Sequence, residues 1–85
     1  MIDEIYFPVI EGLIFASEDP INAAEIEKAI VAIDGDSAEV SVDGIEKAIE
    51  IINQKYEPSY FPFKIVKIAG GYIFATKPEL SKYIG

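Results

Sequence analysis

Few residues in this chain could do chemistry. Asp34-Gly35-Asp36 sets two carboxylates at alternate positions, the spacing with which a loop turns oxygens toward one calcium ion. The rest of such a loop is missing. Its third ligand position falls on Ala38, its glycine position on Glu39 and its closing glutamate position on Ile45, so a solvated turn is expected. Gly70-Gly71 could suggest a phosphate cradle, but it joins two strand-like runs and opens no helix whose N-terminus would concentrate anion binding. Glu25 with Glu27, or Asp3 with Glu4, could act as general acid and base only in a dry cleft. Charges on an amphipathic helix are ordinarily its solvated face.

The residue inventory narrows the field further. There are no cysteines and no histidines, so disulfides, thiolate or imidazole metal sites and the usual nucleophile dyads are excluded. All seven cations are lysines, against 15 acids, for a net charge of −8. Arginine, the residue best suited to bidentate guanine readout and phosphate clamping, is absent. No enzyme activity, metal or cofactor is expected. The charge is uneven: residues 1–57 carry −11 and residues 58–85 carry +3.

Around these residues the chain spells out its elements. Its 85 residues, 51% hydrophobic, suit one small domain with a core of its own. Ile2, Ile5, Tyr6, Val9 and Leu13, with Ile10 and Ile14 beside them, have the spacing of an amphipathic helix. It is expected from Asp3 or Glu4 to Ala16, bent at Pro8. Asn22 and Glu25 form a capping box, with Ile21 and Ile26 placed as a hydrophobic staple. They start a second helix at Ala23 that should bury Ile26, Ile30 and Ile33 and stop at Asp34-Gly35. Ser41 or Asp43 caps a third helix with the stripe Ile45, Ile49, Ile52 and Tyr56, closed by Pro58. The period then changes. Residues 63–68 and 72–76 read as a β-hairpin turning at Gly70-Gly71, with Pro20-Ile21 available as a short extra strand. Pro78 ends it, and residues 79–85 begin another helix. The core is expected to hold Leu13, Ile26, Ile30, Ile45, Ile49 and Ile65.

This order, three helices and then a hairpin, predicts an α+β winged helix-turn-helix, a fold that serves DNA readers and protein-interaction modules alike. No run approaches the ~20 apolar residues of a membrane span. The acidic start lacks the positive region of a signal peptide, and the starting Met fits a natural N-terminus. A soluble, cytoplasmic protein is expected, with no membrane partner.

Two stretches resemble a known family. Glu11-Gly12-Leu13-Ile14-Phe15-Ala16-Ser17-Glu18-Asp19-Pro20-Ile21 is similar to the EALLFASGEPL opening of segregation and condensation protein B, ScpB. Ile65 to Pro78, reading IVKIAGGYIFATKP, is similar to that family's VEVAGGYRLRTKP wing, with Ile73 and Ala75 where charged or polar residues are common. Members of the family carry a second winged helix. The resemblance therefore implies an amino-terminal winged-helix domain over residues 1–77, with residues 78–85 starting a linker or helix toward a second domain. It also implies a non-enzymatic subunit of a condensin-like complex for chromosome condensation and segregation. Such a subunit pairs with itself and grips the middle of the kleisin ScpA, and through it SMC.

The residues themselves offer one candidate for such contacts. Six of the ten aromatics, Tyr60, Phe61, Phe63, Tyr72, Phe74 and Tyr83, fall within 24 positions, more than the two faces of a small hairpin can bury. Tyrosine brings large contact area at little entropic cost. A partner-binding patch is expected from Tyr60, Phe61, Phe63, Tyr72 and Phe74, joined by Ile2 and Tyr6. The alternative is a nucleic-acid-binding winged helix, such as a transcription regulator, using Lys64, Lys67 and Lys77. The net negative charge opposes it, and no strong direct DNA binding is expected.

Overall fold

The computed structural model describes residues 2–84. A 3-10 turn at Glu4–Tyr6 leads into α1, Phe7–Ala16. Then come α2, Ala23–Asp34, and α3, Val42–Gln54, followed by strands β1, Phe63–Ile68, and β2, Gly71–Thr76. A 3-10 turn at Pro78–Leu80 and a single helical turn α4, Ser81–Ile84, follow. The order is that of a winged helix.

The N-terminal helix is two pieces rather than one bent rod. Asp3 accepts the Ile5 N–H at 3.0 Å and caps the 3-10 turn. The α-helix starts afresh at Phe7, with Pro8 in its first turn, where the missing N–H leaves no intrahelical bond unmade. At α2 the capping box is formed in both directions: Asn22 accepts the Glu25 N–H at 2.8 Å and Glu25 accepts that of Asn22 at 2.9 Å. Ser41, rather than Asp43, caps α3 by accepting the Gly44 N–H at 3.1 Å.

β1 and β2 pair antiparallel from Phe63 opposite Thr76 to Ile68 opposite Gly71. The hairpin therefore turns at Ala69-Gly70 and not at Gly70-Gly71. Ala69 (φ +52°) and Gly70 (φ +80°) are both left-handed, as the tight turn that matches strand twist requires. Gly71 is glycine for a different reason, since a Cβ there would lie 2.8 Å from the Pro20 Cβ and 2.9 Å from its carbonyl carbon. That close approach lets Ile21 lie along the outer edge of β2, where it exchanges two backbone hydrogen bonds with Tyr72, at 2.7 and 3.0 Å. The Pro20-Ile21 segment is thus a one-residue third strand.

The core lies between the three helices and the inner face of the hairpin. Ile26, Ile30, Ile45, Ile49 and Ile65 are buried as expected, with Ala48, Ile52, Tyr56 and Tyr72. Helix α1 is phased differently from its sequence stripe: Ile10 and Ile14 face the core, Leu13 is half-buried, and Ile5 and Val9 face outward. Ile33 is 85% exposed instead of buried. It has the right angle on its helix but stands in the last turn of α2, at the rim of the groove between α1 and α2.

Candidate interaction surface

Tyr56, two residues past the end of α3, sits at the centre of an aromatic cluster. Its ring lies 5.4 Å from Phe61, 5.3 Å from Phe63 and 5.6 Å from Phe74, centroid to centroid. Phe15, from the end of α1, meets Phe74 edge to face at 6.0 Å, and Tyr60 lies over Phe61 at 5.0 Å. The outermost rings are bare: Phe15 is 77% exposed and Tyr60 81%. Offset and edge-to-face contacts of this kind contribute about 0.5–1.5 kcal/mol each beyond area burial.

Its polar anchor is Glu11, which stands on α1 in the only charged position of that helix. The Tyr56 hydroxyl and the Lys55 ammonium both donate to its carboxylate, Lys55 at 2.9 Å. Burial alone would raise the Glu11 carboxyl, but these two donors outweigh it and hold it below its usual value. The bond to Glu11 raises Lys55, while burial and then Glu11 raise the Tyr56 phenol. Between α1 and the hairpin the cluster leaves a shallow groove of about 360 Å³, lined by Pro8, Gly12, Phe15, Phe63 and Phe74 with Glu11, Lys55 and Tyr56.

A second apolar face lies on another side of α1. Val9 and Leu13 with Ala29, Ile30 and Ile33 of α2 line a groove of about 370 Å³, beside the exposed Ile5. Tyr6 closes one end, its hydroxyl donating to Asp34 at 2.7 Å, a bond that raises the phenol above its ordinary value.

The expected patch is therefore divided. Tyr60, Phe61, Phe63 and Phe74 are brought together on the aromatic surface, whereas Tyr6 belongs to the α1–α2 face. Ile2 and Tyr72 are removed from the surface, being buried in the core: Ile2 packs beside Gly44, and the Lys67 ammonium lies over the Tyr72 ring. Phe15 was absent from the expected patch, as were Ile5, Val9 and Ile33. The signal was available: α1 has one charge in ten residues, more apolar circumference than one core can cover.

The lysines of the alternative reading are largely committed. Lys77 is buried, its Nζ donating to the Pro58 carbonyl at 2.9 Å, and so cannot reach a phosphate as expected. Lys67 lies 3.6 Å from Glu46 and over the Tyr72 ring. Only Lys64 of the three is without such a contact among the described residues. No group of metal-ligating side chains converges among the described residues, and no helix there is long and apolar enough to cross a membrane.

Comparison with known proteins fits this geometry. The family model for the segregation and condensation complex subunit ScpB matches residues 8–85. A segregation and condensation protein B from Symbiobacterium thermophilum is 28% identical over 76 residues, covering 89% of this chain and 31% of the relative. The chain thus spans about a third of that curated relative. Among solved structures, a conserved hypothetical protein from Chlorobium tepidum superposes with a TM-score of 0.77 at 28% identity, over 95% of this chain and 46% of the other. A dimer of ScpB N-terminal domain complexed with ScpA peptide gives 0.75 at 23% identity, over 95% of this chain and 91% of that one. ScpB from Mycobacterium tuberculosis gives 0.74 at 13%, over 99% and 48%. The last two likenesses concern the fold.

Proposed function

The chain belongs to the family of the segregation and condensation complex subunit ScpB, and from that premise we propose that it is a non-catalytic scaffold of a chromosome-organising SMC–kleisin complex. It pairs with a second copy of itself and holds a segment of the kleisin ScpA, through which it reaches SMC. The observation that carries this reading is helix α1, whose apolar circumference is buried on one side and left bare on two others, one aromatic and one aliphatic. A helix apolar all round is ordinarily covered all round, and one more helix or strand on each bare face would do that. One solved structure of this fold is a dimer with a ScpA peptide bound, which supports two contacts on one small domain.

Residues 1–77 form the winged helix in this proposal, and residues 78–85 begin the passage to a second domain, as the short share of the curated relative's length suggests. The complex works in the cytoplasm. Sedimentation of the chain alone and with a purified ScpA fragment tests the reading. A dimer that gains mass with the fragment is expected, and a monomer that ignores it defeats the proposal.

A further inference from the structure

The hairpin has two edges, and each has one outward-facing residue already paired: in the middle of β1, where it separates Phe63 from Lys67, and at the start of β2, where it leaves two successive outward-facing residues beyond it. On β1, Ile65 turns its N–H and C=O outward and the Asn53 side chain takes both. On β2, Tyr72 turns outward and Ile21 takes both groups. Outward and inward backbone groups alternate along a strand, so Phe74 and Thr76 face the same way as Tyr72. Among the described residues neither finds a hydrogen-bond partner on that side. Beside them is a groove of about 220 Å³ walled by Phe15, Phe63, Phe74, Ala75 and Thr76, with no charged side chain.

An occupant of this place has to supply extended backbone for two residues and apolar side chains for the groove. A helix supplies only the second, because its own backbone groups are already paired. A second copy could offer its own β2, but pairing the two edges about a twofold axis at Ala75 sets Tyr72 opposite Pro78 of the second copy, where Ile21 already lies.

We propose that the β2 edge at Phe74 and Thr76 takes an extended segment of another protein as an added strand. Large apolar residues two positions apart in that segment seat on Phe15, Phe63 and Phe74. Strand periodicity puts such residues on one face, and strand addition at an open edge combines main-chain affinity with side-chain specificity in this way. The proposal rests on the kleisin-binding reading above and specifies its manner.

The test uses the whole chain and a purified fragment from the middle of ScpA. Amide exchange at Phe74 and Thr76 should slow by about tenfold or more when the fragment is added. Thr76→Pro removes one outward N–H without touching the β1–β2 ladder, since proline is tolerated on a free edge. It should weaken binding about tenfold or more, while Thr76→Ser binds as the parent does. Where the proline variant does not fold, the exchange measurement on the unaltered chain decides alone. Binding that leaves exchange at both amides unchanged overturns strand addition and leaves the kleisin reading standing. A fragment that does not bind at all overturns both.

Discussion

Asn53 pairs with Ile65 as a neighbouring strand would. Its Nδ2 donates to the Ile65 carbonyl at 2.9 Å and its Oδ1 accepts the Ile65 N–H at 2.8 Å. One side chain of α3 thus caps the middle of the β1 edge and fixes the wing against the helical core. Asn53→Ala leaves both backbone groups part-buried and unpaired, which should cost about 2–4 kcal/mol in denaturant unfolding. A variant of unchanged stability would mean that the wing is held by apolar contacts alone.

The Glu11–Tyr56–Lys55 contact sets a pH window. The Glu11 carboxyl is lower in the folded chain than its free value of 4.5, so its stabilisation is complete above that value and is lost as pH falls through the lowered one. Lys55 and Tyr56 are raised from 10.5 and 10.0. Their share is complete below those values and is lost as pH rises through the raised ones. Thermal midpoints should therefore be flat between about pH 5 and 9 from this contact and fall on both sides. Tyr56→Phe keeps the ring and should make the acid limb shallower.

The hairpin turn carries a removable cost. Ala69 holds φ +52°, a conformation that disfavours a Cβ but suits asparagine. Ala69→Asn should raise stability by about 0.5–1 kcal/mol, read as a higher thermal midpoint. Gly71→Ala should act oppositely, by about 1–3 kcal/mol, because its Cβ meets Pro20.

Two neighbouring substitutions distinguish the observed phase of α1 from the one its stripe suggests. Ile10 is fully buried and Leu13 only half-buried. Ile10→Ala should cost about 2–5 kcal/mol by chemical denaturation, and Leu13→Ala clearly less. Equal losses would put both residues in the core.

Substituting the exposed aromatics should separate association from stability. Phe15→Ser with Tyr60→Ser removes two rings that are mostly bare, so circular dichroism should be unchanged and unfolding free energy should fall by no more than about 0.5–1.5 kcal/mol per site, the contribution of the one ring contact each makes. Association with a ScpA fragment or with a second copy should weaken about tenfold or more. Unaltered association by both measures would move the contact to the α1–α2 face.

The sequence by itself determined the order of the elements and the ends that carry a cap, because caps and hydrophobic period are local, but not the start of α1 or the exact hairpin turn. Asn22 with Glu25 placed the start of α2, Ser41 was one of two candidates for the start of α3, and the stripe from Ile45 to Tyr56 named the buried face of α3. The resemblance of two motifs to the ScpB family was legible for the same reason. Only the tertiary structure decided which apolar residues are covered. Period gives a residue's angle on its helix, not what stands opposite. Ile33 has a core angle and solvent beside it, while Ile2 and Tyr72, expected at the surface, belong to the core, Ile2 against Gly44. Along α1 nearly every side chain is apolar, so no stripe could mark its buried face. That choice fell to the elements packed against α1, foremost α3 and β2, which leave Ile10 and Ile14 buried and Phe15 and Val9 outside.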